Sequence, residues 1–128
     1  MDAYENQAKL LKVLSNPARL QILDVLREDE HCVCHLEAVL GLRQAYVSQQ
    51  LMVLREAGLV VDRKDGLRVY YRVTDPGVYG ILDVARSLVR RQAQKKGLSL
   101  RFTLPNQARP HACNCPKCVG EVTLAVAS

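Results

Sequence analysis

Leu10, Leu11, Val13 and Leu14 fall at helical spacing and predict a first helix over residues 4–14. In "SNPARLQIL", Ser15 and Asn16 are candidate caps and Pro17 suits a first helical position. Leu20, Ile22, Leu23, Val25 and Leu26 then form the buried stripe of a second helix that ends in "REDE". "CHLEAVLGL" predicts a short third helix with Leu36, Val39 and Leu40 inward, broken at Gly41. The fourth, in "RQAYVSQQLMVLREAGLV", turns Val47, Leu51 and Leu54 to one side and the small or polar Ala45, Ser48 and Gln49 to the other. In "LVVDRKDGLRVYYRV" the period changes. Two β-rich runs flank "RKDG", where Asp65-Gly66 signals a hairpin. After Asp75-Pro76-Gly77, helical spacing returns over residues 78–94 through Ile81, Leu82, Ala85, Leu88 and Val89. Beyond Gly97 the apolar pattern thins, and Pro105, Pro110 and Pro116 predict an irregular tail. The expected division is a folded unit over residues 1–97 and a cysteine-containing tail over 98–128.

The chain has 128 residues, 48% of them apolar, enough for one ordinary domain with a core. No apolar run approaches the length of a membrane span, and "MDAYENQAK" is not a signal peptide. These features predict a cytoplasmic protein, in which five cysteines are expected to be reduced thiols for metal or redox work. The net charge of +5 is compatible with a nucleic-acid partner but common among soluble domains. Its distribution says more, because Arg43, Arg55, Arg63, Lys64, Arg68 and Arg72 cluster in the stretch with the fourth helix and the hairpin.

Helix, glycine-centred turn, helix and basic hairpin is the layout of a winged helix-turn-helix, a mainly α fold with a β-hairpin wing. The second helix of such a pair enters the major groove, where its exposed N-terminal half meets base edges. Gln44, Ala45, Ser48 and Gln49 are the expected reading positions. Gln bonds the adenine edge in bidentate fashion, and Ser is a short donor or acceptor. Arg63, Lys64 and Arg68 on the hairpin suit phosphates, which give affinity rather than sequence information. The competing reading is a plain helical hairpin with solvated Gln and Arg side chains. Turn, polar face and basic hairpin arriving together in order argue against it.

The stretches "SNPARLQIL", "CVCHL", "VSQQLMVLREAGLV" and "RKDGLRVYYRV" resemble the arsenical-resistance repressor (ArsR/SmtB) family of metal- and metalloid-responsive winged-helix regulators. The resemblance runs over residues 4–94. It implies a homodimer paired through the first and last helices, here residues 4–14 and 78–94. It also implies repression at operator DNA, an inverted repeat, until an ion binds. Gln50 departs from the family pattern, where many relatives carry His in the recognition helix. By the same resemblance, Cys32 and Cys34 match the family's thiolate pair ahead of the recognition helix.

In "HCVCHL" the two cysteines are two apart between His31 and His35. A regular helix turns about 100° per residue and would point Cys32 and Cys34 to opposite sides. Period two belongs to strands, so chelation by both sulfurs needs an extended or uncoiled backbone there. The expectation is an ion that holds open or bends the start of the helix, ten residues before the DNA-reading one. His31 and His35 are possible ligands or hydrogen-bond donors, with a polar surface role at least as plausible. In the tail, "CNCPKC" packs Cys113, Cys115 and Cys118 into six residues, a compact chelating arrangement for soft ions. Its Cys-Pro-x-Cys also matches a redox motif, but that chemistry needs a helix start after a strand.

Thiolate donors favour thiophilic species and exclude hard cations. Arsenite and antimonite take three thiolates in a pyramid, whereas cadmium, lead and mercury accept two to four. The family's zinc, nickel and cobalt sensors place Asp, His and Glu on the last helix, which here offers Asp83 and no His. Arsenite or antimonite is therefore the first expectation and cadmium, lead or mercury the second, with no organic cofactor. A sensor of thiol oxidation or persulfide using Cys32 and Cys34 is a competing reading. A metal-sequestering thiol protein with an incidental helix-turn-helix is another. An enzyme is not expected, because no catalytic base can be placed beside a thiol.

Overall fold

The computed structural model describes residues 2–105. In chain order its elements are α1 (Ala3–Leu14), α2 (Pro17–Val25), β1 (His31–Cys32), α3 (Val33–Leu40), α4 (Gln44–Glu56), β2 (Val60–Asp65), β3 (Arg68–Val73) and α5 (Gly77–Lys95). Among the described residues no helix is long and apolar enough to cross a membrane.

Local chemistry sets the helix boundaries. Asn16 caps α2 by accepting the Arg19 backbone N–H at 3.1 Å, with Pro17 in the first turn. Ser15 belongs to the other side of the junction, donating its hydroxyl to Lys12 O at 2.8 Å to close α1. Gly41 adopts φ 64° and donates its N–H to Glu37 O, ending α3 in the left-handed conformation that penalises other residues. Only Gly41, Leu42 and Arg43 then separate α3 from α4, the tight connection of a helix-turn-helix.

The core joins α2, α3, α4, β2 and α5 through Ile22, Leu23, Leu36, Val39, Leu51, Leu54, Val60 and Leu82. Leu20, expected in the buried stripe of α2, is instead partly exposed, because Ala18, Ile22 and Leu23 form the inward face. Arg19 ties three elements together, donating Nε to Val13 O at 2.6 Å and Nη1 to Gln50 Oε1 at 2.7 Å. Tyr79 anchors α5 by donating its hydroxyl to Leu23 O at 2.6 Å, and burial pushes its phenol up to about 12. Arg27 pairs with Asp83, and Arg86 pairs with Asp24, along the same α2–α5 seam.

The sheet has three strands in the order β1-β3-β2, all antiparallel. The β2–β3 hairpin closes with Asp65 opposite Arg68, so Gly66 and Leu67 are its two loop residues, one step beyond the Asp65-Gly66 pair marked from sequence. Gly66 has φ 62° at the first loop position, where a two-residue turn demands it. The third strand, β1, was not expected. It is two residues long and pairs His31 with Tyr71 and Cys32 with Tyr70. After Gly97 the chain through Pro105 has no helix or strand, yet Leu104 packs on the core. Phe102 lies against the guanidinium groups of Arg86 and Arg90, 4.4 and 5.0 Å from its ring centroid.

The inward and outward faces of α4 set an energetic contrast. Leu51 is wholly buried, whereas its neighbour Met52 is 55% exposed. Leu51→Ala should cost about 2–5 kcal/mol of stability in urea denaturation, and Met52→Ala should change it little. Equal costs at the two positions would show that α4 is not oriented as described.

Candidate nucleic-acid interface and thiol site

Val47, Gln50, Leu51 and Leu54 are the buried positions of α4, a stripe at i, i+3, i+4 and i+7. The same spacing read from Ala45 gives Ser48, Gln49 and Met52, which lie on the opposite side of the helix. Gln44, Ala45, Gln49 and Met52 are exposed and Ser48 is half-buried. The four expected reading positions therefore share the outward surface of the N-terminal half of α4. Tyr46, 39% exposed at the edge of this surface, joins them and was missed in the sequence. Gln50 does not: it is buried against Arg19, so its departure from the family pattern falls on an inward contact.

On the wing, Lys64 is exposed and Arg68 half-buried, and among the described residues neither has an ion-pair partner. Arg63 is different. Its Nη2 and Nε both donate to the Glu30 carboxylate, and Asp65 stands 3.6 Å from Nη1. The guanidinium also lies over the Tyr70 ring, 4.8 Å from the centroid. Chiefly through Glu30, these contacts raise the Arg63 pKa above its ordinary value.

Cys32 is the last residue of β1 and the N-cap of α3, with φ −82° and ψ 164°. Cys34 lies in the first helical turn. The extended backbone that chelation by both sulfurs needs over residues 31–34 is present only at 31–32, through pairing with β3, because Val33 and Cys34 already belong to α3. Cys32 is buried and Cys34 half-buried. Cys32 and Tyr70 form a small apolar cluster separate from the main core, and Cys34 packs against it. His31 and His35 are buried and stacked, with ring centroids 4.0 Å apart, which corrects the expectation of a polar surface role.

Among the described residues no group of three or more His, Cys, Asp or Glu could hold a metal ion. Two thiols in one cluster fit part of a soft-ion donor set. Cys113, Cys115 and Cys118 lie outside the described residues. On α5, Asp83 is engaged by Arg27 at 2.9 and 3.1 Å, which holds its carboxyl below the usual range.

A family model described as "Bacterial regulatory protein, arsR family" matches residues 16–61, from the cap of α2 into β2. The HTH-type transcriptional regulator Rv0081 of Mycobacterium tuberculosis (strain ATCC 25618 / H37Rv) is 39% identical over 89 residues, 69% of this chain and 78% of that protein. The chain belongs to the arsR family. The crystal structure of Rv0081 superposes with a TM-score of 0.68 at 35% identity, over 77% of this chain and 99% of that one. A second neighbour is the homodimeric winged helix-turn-helix DNA-binding domain Mb0332 from Mycobacterium bovis, described as a possible ArsR-family transcriptional regulator. It has a TM-score of 0.62 and 27% identity, over 77% of this chain and 90% of that one. The biofilm growth-associated repressor of Agrobacterium fabrum (strain C58 / ATCC 33970) is 47% identical over 68 residues, 53% of this chain and 58% of that protein. Fold and relatives alike are those of DNA-binding transcription regulators, not enzymes.

For this arsR-family chain, the unequal burial of the two thiols predicts unequal reactivity. Iodoacetamide should alkylate Cys34 faster than Cys32 in the native protein, as read by peptide mass spectrometry over time. Faster labelling of Cys32 would contradict the paired β1 strand.

Proposed function

We propose that this chain is a dimeric transcriptional repressor whose hold on operator DNA is broken when a thiophilic ion, arsenite or antimonite first, is taken up by Cys32 and Cys34. The observation that carries the reading is the position of the thiol pair. It lies where β1 passes into α3, the helix that positions α4 through a three-residue turn. A change of backbone at Cys32 has a short mechanical route to the DNA-reading helix.

Gln44, Ala45, Ser48 and Gln49 contact bases in this reading, and Lys64, Arg68 and Arg63 contact phosphates. Dimerisation uses α1 and α5. Ile81, Val84 and Leu88 form an apolar stripe at i, i+3 and i+7 on α5, with Val84 68% exposed, and Leu11 of α1 is also exposed. The homodimeric neighbour supports that assignment. Cys113, Cys115 and Cys118 complete the donor set in this proposal, since a pyramidal arsenite site needs three thiolates. Cadmium, lead and mercury are the next candidates for the same thiols.

The DNA half of the reading predicts an inverted repeat with half-sites about one helical turn or a multiple apart. Gln49→Ala should weaken specific binding by about 1–3 kcal/mol, with little change on random duplex. Lys64→Gln with Arg68→Gln should weaken both and flatten the salt dependence. Equal losses for Gln49→Ala on both duplexes would remove it from base readout.

The thiol half predicts that arsenite lowers operator affinity roughly 5- to 150-fold, the usual range for linked sites. Cys32→Ser with Cys34→Ser should retain operator binding and lose that response. Replacing Cys113, Cys115 and Cys118 by Ser should weaken ion affinity and leave apo DNA binding intact. Ion-driven release from the Cys32/Cys34 variant would sink the proposal. Release by peroxide or persulfide, with none by arsenite, cadmium, lead or mercury, would replace the ion by thiol oxidation.

A further inference from the structure

Arg63, an expected phosphate contact, is already held by a carboxylate of its own chain. Glu30 receives two of its N–H groups, from Nε at 3.2 Å and from Nη2, in the forked geometry that an arginine also offers to a phosphate. Both partners remain partly accessible, with Glu30 24% and Arg63 50% exposed in their side chains. The pair is therefore a surface contact that a phosphate can displace.

The same pair is joined to the thiols in two ways. Glu30 lies two residues before Cys32, in the segment that leads directly into β1. Across the sheet, Cys32 opposes Tyr70 and Tyr70 opposes Arg63, so the three side chains form one row on one face. The contacts agree: Cys32 packs with Tyr70, and Tyr70 carries the Arg63 guanidinium on its ring. Cys32 is thus connected to Arg63 through the Tyr70 ring and lies two residues from the carboxylate that holds it.

We propose that Glu30 is a positioning residue of the DNA interface: its carboxylate competes with operator phosphate for Arg63, and occupation of Cys32 and Cys34 shifts that competition toward Glu30. The proposal rests on the function proposed above and adds a route from the thiols to the wing. In the DNA complex Arg63 exchanges Glu30 for a phosphate. With the thiols occupied, β1 holds Glu30 on Arg63, and the wing loses one charge-assisted contact.

The test uses the full chain, a duplex selected by the wild-type protein from a random library, and fluorescence anisotropy across 50–200 mM salt, roughly the range in which phosphate contacts register. Phenylarsine oxide serves as the thiol probe because it needs only two thiolates. Two As–S bonds form, and its oxygen leaves as water with the two thiol protons. Glu30→Gln should tighten binding about 2- to 5-fold, the scale of an exposed ion pair, with the salt slope unchanged because Arg63 meets a phosphate in both complexes. In an Arg63→Gln background the same substitution should do nothing. Phenylarsine oxide should weaken DNA binding less in Glu30→Gln than in the wild type. Equal gains with and without Arg63 would reveal a general charge effect and overturn the competition. Equal weakening by the probe in both proteins would overturn the link to the thiols. A wild-type chain that selects no duplex, or ignores the probe, overturns the proposed function itself and is read before any variant.

Discussion

The backbone changes from extended to helical at Cys32, and the DNA-binding half of the molecule is arranged around that change. Pairing with Tyr70 and Tyr71 holds residues 31–32 as a strand, while the next residue begins α3. A strand stub of two residues has little stability of its own. It persists because Cys32 and Tyr70 bury one face together and because His31 stacks on His35 in the first turn of α3. The thiols thus stand where a small apolar cluster meets the start of α3, whereas α4 is fixed by the main core.

Arg19 shows how α4 is fixed. It bonds the last turn of α1 and Gln50 of α4 from a position on α2, so three helices share one guanidinium. Gln50 faces inward while Gln49 faces out, although the two are adjacent and chemically identical. Helical geometry alone separates their roles. One residue orients the reading helix, and the other is available to read.

Much of this was legible in the chain. The five helices and the hairpin follow from apolar periodicity and from Asn16, Pro17, Gly41 and Gly66. The outward face of α4 follows from the same period that buries Val47, Leu51 and Leu54. What escaped was tertiary. "HC" carries no strand signal of its own and becomes β1 only because Tyr70 and Tyr71 pass beside it. The burial of His31 and His35 follows from that pairing. The inward contact of Gln50 does not show in the sequence, because its partner Arg19 lies thirty-one residues earlier. Glu30 belongs to the run "REDE", which reads as a solvated helix end until the hairpin folds Arg63 onto it.

The spacing of two between the cysteines, awkward for any single helix, makes sense in this frame. Placed wholly in a strand, Cys32 and Cys34 would share a face but have no leverage on α3. Placed wholly in a helix, they would point apart. Astride the boundary, one thiol belongs to the sheet that carries the wing and the other to the helix that abuts the recognition helix. In the function proposed above, a ligand gripping both would act on the junction of sheet and helix. Linkage makes the effect reciprocal: whatever the thiols' ligand does to the DNA-binding geometry, DNA does in equal measure to the ligand's affinity. A pair of cysteines on a strand alone would share a face for an ion, but that ion would have no helix to move.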